Sequence, residues 1–88
     1  ATRGMQITWE PVRDDSPIAG LTLAEANIRS RTGASVVALV RGDRVLANPK
    51  SHERFQPGDV VGLIGSPEEL TGAWNLLSSR AEAMMERA

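Results

Sequence analysis

The run from Ser35 to Pro49 constrains this chain more than any other. It opens with Ser35-Val36-Val37-Ala38-Leu39-Val40, rich in β-branched residues and apolar at every position after the serine. That composition reads as a central strand covered on two sides. Arg41 then gives way to Gly42-Asp43, a two-residue loop with glycine where a type II′ turn needs positive φ. Val45-Leu46-Ala47 returns as the partner strand, and Asn48-Pro49 ends it, since proline has no N–H for the ladder. A hairpin of this kind belongs to a sheet, and a sheet needs a second layer to bury its apolar face.

The remaining elements follow from local signals. Met5, Ile7, Trp9 and Pro11 fall on one side of a first strand that ends near Pro11. Arg13 to Pro17 reads as a polar loop. Thr22-Leu23-Ala24-Glu25 fits a capping box, opening a helix that runs to about Arg31, and Gly33 supplies the left-handed cap. Arg29 and Arg31 suit the negative end of its dipole. Lys50 to Gln56 reads as a polar loop, Pro57-Gly58 as a turn, and Val60 to Ile64 as another strand. Gly62 within it marks a close approach by a helix or another chain. Ser66-Pro67-Glu68-Glu69 starts a second helix, whose stripe Leu70, Ala73, Trp74, Leu77, Ala81 and Met84 keeps a 3.6-residue period. The order is β-α-β-β-β-α. The fold class is α+β, a small mixed or antiparallel sheet packed by two helices. The 88 residues form a single domain, with a core over about 5–77 and a helix extension or tail over 78–88.

Composition removes several functional classes. A net charge of −1 gives no basic field, so no nucleic-acid partner is expected. The absence of cysteine removes disulfides and thiolate chemistry and suits a reducing compartment. No apolar run approaches the length of a spanning helix. The chain opens Ala-Thr-Arg-Gly without Met, as a piece of a longer protein would. His52 sits alone in a charged loop, and Asp14-Asp15 and Glu68-Glu69 are explained by solvation and by a helix N-terminus. No nucleophile with a base beside it is evident, and the expectation is a protein that is not an enzyme. Trp9 and Trp74 are assigned to core or interface.

The best binding candidate is the segment from Arg41 to Arg54. Arg41, Arg44, Lys50 and Arg54 outnumber Asp43 and Glu53 there, beside the apolar Val45, Leu46 and Ala47. Arginine grips phosphate bidentately, apolar side chains can sandwich a base, and Asn48 both donates and accepts. A small anionic ligand with aromatic faces, such as a nucleotide, suits that set. An ordinary solvated hairpin is the competing interpretation.

Taken together, Gly20-Leu21-Thr22-Leu23-Ala24-Glu25, Arg29 to Gly33, Val36 to Gly42, Asn48-Pro49, Gln56-Pro57-Gly58-Asp59-Val60-Val61 and Gly65 form an ordered set. It resembles the C-terminal domain of potassium-conductance regulators, the RCK_C or TrkA-C family, over about Met5 to Leu77. The resemblance implies a β-α-β-β-β-α sandwich that pairs into homodimers. It implies a cytoplasmic regulatory domain at the inner face of the membrane, attached to or complexed with a membrane cation (potassium) transporter, channel or antiporter. It also implies a small anionic effector, cyclic di-AMP or another nucleotide, held between protomers. The carried-over ligand residues are Arg41 for phosphate, Val45, Leu46 and Ala47 for the adenines, and Asn48 and Pro49 at the strand end. No NAD or ATP site is implied, because the Rossmann-type neighbour is not in this sequence. The alternative is a purely structural dimerisation or docking module without a ligand.

Overall fold

The computed structural model describes residues 4–78. The elements run β1 (Gln6–Pro11), α1 (Leu23–Ala26), α2 (Ile28–Thr32), β2 (Ser35–Arg41), β3 (Arg44–Ala47), β4 (Val60–Gly65) and α3 (Pro67–Leu77). One four-stranded sheet has the order β1-β4-β2-β3, and every pairing in it is antiparallel. The expected continuation of the α3 stripe to Ala81 and Met84 lies outside the described residues, as does the tail.

Each helix begins where the sequence signals it. Thr22 accepts from the Glu25 amide at 3.1 Å while the Glu25 carboxylate accepts from the Thr22 amide at 2.9 Å. Ser66 and Glu69 repeat the arrangement at the start of α3. The expected single helix from Thr22 to Arg31 is broken in two at Asn27, which adopts the left-handed conformation with φ 52°. Both Ala26 and Ile28 are buried. In an unbroken helix residues two apart lie roughly 200° apart, so one of them would face water. The break re-aims the chain so that both reach the core, and asparagine tolerates that conformation better than most residues. Gly33 then closes α2 with φ 86°, its amide donating to the Arg29 carbonyl at 2.8 Å. A side chain there would come within 2.5 Å of the Glu69 carboxylate.

The core joins Leu39, Val61 and Leu63 of the sheet to Leu70, Ala73 and Leu77 of α3. Val12, Ile18 and Phe55, all from connections, are as deeply buried as any residue of the sheet. Phe55 is fixed by its backbone: its amide donates to the Leu21 carbonyl at 2.9 Å, and its carbonyl accepts from Gly20 at 2.8 Å. The stretch from Lys50 to Gln56 is therefore not a free polar loop but a strap tied to the entry of α1.

Cross-strand pairing sorts the sheet into two faces. Val36, Leu39, Leu46, Val61 and Leu63 share the face that the helices cover. Residues paired on the opposite face include Ile7 with Ile64, Trp9 with Gly62, and Val40 with Val45. No described helix covers that side: Ile7, Trp9 and Val45 are 57%, 52% and 67% exposed. The expectation that β2 is covered on two sides is corrected accordingly. Its second apolar face is real, but nothing within the described chain lies on it. Gly62 does mark a close approach, by a different group from the one expected. A Cβ there would meet Cζ3 of Trp9 at 2.7 Å, so the indole of the neighbouring strand lies across the glycine.

Candidate functional site

The hairpin is built as its turn demands. Gly42 has φ 63° and Asp43 is not among the positive-φ residues, which is the type II′ pattern. Arg41 and Arg44 close the ladder across it. From that end Arg41 turns to the helix side of the sheet and meets Asp59. Its Nε donates to Asp59 Oδ1 at 2.8 Å and its Nη2 to Oδ2 at 2.9 Å. Nη1 donates to Glu53 at 3.2 Å and Nη2 also to the Arg54 carbonyl at 2.9 Å. The Asp59 hydrogen bonds, ahead of those from Glu53, raise the already high pKa of this guanidinium further. Asp59 is 1% exposed and also accepts from the Gln56 amide at 2.9 Å, at the Pro57-Gly58 turn where Gly58 has φ 92°.

These bonds occupy most of the five N–H donors of a guanidinium. Arg41 therefore ties the hairpin to the start of β4, and a phosphate could reach only a remaining donor on Nη1. Arg54 is engaged as well, donating to the Gly20 carbonyl at 2.8 Å and lying 3.6 Å from Glu25. The Thr22 amide, more than that ion pair, holds the Glu25 carboxyl below its usual range.

The other expected ligand residues diverge. Val45 and Ala47 stand on the helix-free face, whereas Leu46 packs against the core. Asn48 has φ 48°, its side chain is exposed, and its amide donates to the Val37 carbonyl at 2.9 Å. Pro49 lines a groove of about 440 Å³ with Leu23, Asn27, Ile28 and Arg29 of the helical segment and Ser35 and Val36 of β2. The groove exists because β3 stops short: its last residue, Ala47, pairs with Ala38, so the first residues of β2 have no strand beside them on that edge. Arg41 stands six residues along β2 from Ser35, roughly 20 Å at the usual strand rise. The candidate set is thus divided between the two ends of the hairpin.

Arg29 was legible only as a partner for the helix dipole. In the fold it is exposed at the groove and forms no ion pair among the described residues. It reaches the groove because the chain breaks at Asn27, a feature without a periodic signal. Among the described residues no three His, Cys, Asp or Glu side chains gather as a metal site, and no helix is long and apolar enough to cross a membrane.

Comparison with known proteins places this geometry. The model of the TrkA-C domain family matches residues 7–75. A probable potassium channel protein 2 of Methanocaldococcus jannaschii is 32% identical over 73 residues, 83% of this chain and 21% of that protein. The Ktr system potassium uptake protein C of Bacillus subtilis is 33% identical over 57 residues, 65% of this chain and 26% of that protein. The chain thus spans about a fifth to a quarter of the length of these relatives. Among solved structures, the RCK_C domain dimer of S. agalactiae BusR in complex with c-di-AMP has the same fold, with TM-score 0.75 and 21% identity, covering 81% of this chain and 93% of that one. The RCK C domain of the potassium transport protein KtrA in complex with c-di-AMP superposes with TM-score 0.74 at 21% identity, covering 81% of each chain.

A further neighbour corrects the expectation of no nucleic-acid partner. S. agalactiae BusR in complex with its busAB-promotor DNA shares the fold, with TM-score 0.71 and 23% identity over 80% of this chain. The likeness covers only 36% of that chain. Net charge bounds the field of the residues counted, so a balance of −1 over 88 residues does not exclude DNA as a partner of proteins that carry this fold.

Proposed function

Because this chain belongs to the TrkA-C domain family, we propose that it is the effector-sensing regulatory domain of a prokaryotic potassium or related cation transport system. It works as a homodimer at the cytoplasmic face of the membrane, with residues 5–77 as one folding unit. The effector is cyclic di-AMP or another nucleotide. The observation that carries this reading is the groove at the end of β3, where Pro49, next to Asn48 in the chain, stands beside an apolar wall and the exposed Arg29. Apolar Leu23, Ile28 and Val36 suit a purine, and Arg29 suits a phosphate. Arg41 contributes mainly by holding the hairpin in place, with Leu46 behind it. Val45 and Ala47 lie on the other face and would reach an effector only from a partner protomer. Effector binding favours one arrangement of the pair, and the attached transporter responds to that difference.

Isothermal titration of the chain with cyclic di-AMP and other nucleotides tests this. Saturable heat is expected, and Arg29→Ala should weaken it about 10-fold or more, the worth of a charge-assisted hydrogen bond. Asn48→Ala should weaken it less. No heat with any nucleotide would leave the alternative, a dimerisation or docking module without a ligand.

A further inference from the structure

We propose that Asn27 reads the edge of an adenine base in the groove at the end of β3, so that the site takes adenine nucleotides ahead of guanine ones. The inference rests on the nucleotide reading above and adds to it the residue that selects the base.

Asn27 holds a strained backbone conformation, and nothing inside the chain accounts for its side chain. Its φ of 52° is fixed from both sides: its amide donates to the Leu23 carbonyl at 3.0 Å, and its carbonyl accepts from the Arg31 amide at 3.1 Å. Glycine adopts this conformation freely, whereas a Cβ is strained in it. Among the described residues, positive φ falls on five glycines and on two asparagines, Asn27 and Asn48. Both asparagines stand at the groove. Asn27 lines it, and Asn48 precedes Pro49, which also lines it. The side chain of Asn27 caps no helix and makes no hydrogen bond among the described residues. It is exposed, so core packing does not call for it either. Glycine would serve the backbone better at this position, and what glycine lacks is the carboxamide.

That carboxamide differs from the other polar groups lining the groove. Arg29 only donates, and the hydroxyls of Ser35 and Ser51 rotate. Asn27 alone sets a donor and an acceptor side by side in one plane. Adenine presents the matching pair: its N6 amino group donates and its N7 accepts. Nδ2 of Asn27 then donates to N7 while Oδ1 accepts from N6, a bidentate pairing that asparagine uses to read adenine in nucleic acids. Guanine carries O6 in place of the amino group, so Oδ1 would face a second acceptor and lose its bond. Leu23, Val36 and Pro49 offer the ring apolar cover. A site built to hydrogen-bond one group rejects the analogue without it, because the polar atoms left behind stay unpaired. The groove, at about 440 Å³, has the size usual for small-molecule sites. The fixed backbone holds the amide in place before the base arrives, which lowers the ordering cost of binding.

Isothermal titration of the chain with three ligands tests this: cyclic di-AMP, its analogue with 7-deaza-adenine in place of both adenines, and cyclic di-GMP. The analogue keeps N6 and replaces N7 by C–H, so it removes one acceptor and nothing else. The wild type is expected to bind cyclic di-AMP about 10-fold or more tightly than either of the others. Asn27→Gly keeps the backbone conformation and deletes the amide. It should melt cooperatively, bind cyclic di-AMP about 10-fold more weakly, and no longer tell it from the 7-deaza analogue. An Asn27→Gly protein that still prefers cyclic di-AMP over the analogue overturns the inference and leaves the groove reading standing, as does a wild type that binds the two equally. A wild type that gives no heat with any nucleotide removes the groove reading and this inference with it.

Discussion

Asp59 is ionisable and 1% exposed, so the fold must provide its counter-charge from within. Arg41 does so with two parallel N–H···O bonds, 18 residues away in sequence and across the sheet from the Pro57-Gly58 turn. Among the described residues, removing the guanidinium leaves the buried carboxylate only the hydrogen bond from the Gln56 amide at 2.9 Å. Arg41→Ala is therefore expected to cost about 3–5 kcal/mol in urea unfolding, a large part of the margin of a small domain. Arg41→Lys should recover only part of this, because an ammonium cannot reproduce the fork. The double variant Arg41→Met with Asp59→Leu should lie much closer to the wild type than the sum of the single changes, since the orphaned charge goes with its partner. A loss near 0.5 kcal/mol in Arg41→Ala would show that the network is a weak surface contact. The sequence alone suggested a phosphate ligand at this position, because Arg41 sits in a locally cationic segment and nothing in one dimension pairs it with Asp59.

At the scale of elements, local chemistry was legible and remote chemistry was not. Capping boxes at Thr22 and Ser66, the Gly42-Asp43 turn and the Pro57-Gly58 turn each depend on neighbours within a few residues, and each stands where it was expected. The break at Asn27 was missed because it answers a tertiary demand, the burial of Ala26 and Ile28 together. The groove was missed for the same reason, since its walls come from α1, α2, β2 and the turn after β3. Asn27 thus carries both a backbone requirement and a place in the groove. Asn27→Ala is expected to lower stability by about 1–2 kcal/mol, the cost of left-handed backbone for a residue with a Cβ and no local hydrogen bond. Asn27→Gly should keep or slightly raise stability. Thermal melts of the pair check this. Equal losses in both would mean that the Asn27 side chain, and not its backbone, supports the joint.

For the molecule as a whole, β2 is the element that belongs both to the groove and to the helix-free face of the sheet. Ser35 and Val36 line the groove, while Ala38 and Val40 belong to the helix-free face. Between them the β2–β4 register shifts, with Val37 as the extra residue. A bulge of this kind bends its strand, so a ligand that presses on the start of β2 is expected to shift Ala38 on the helix-free face. Two sites that share one strand should be coupled, and coupling in binding is reciprocal by thermodynamic necessity. If cyclic di-AMP changes the association constant of the chain by some factor, association changes cyclic di-AMP affinity by the same factor. The expected result is an affinity that differs between about 1 µM and about 100 µM protein by several-fold, within the 5- to 150-fold range usual for such coupling. Ile7→Lys lies outside the groove, so it should retain the binding heat and lose the concentration dependence. A wild-type affinity identical at both concentrations would mean that the bulge isolates the two faces.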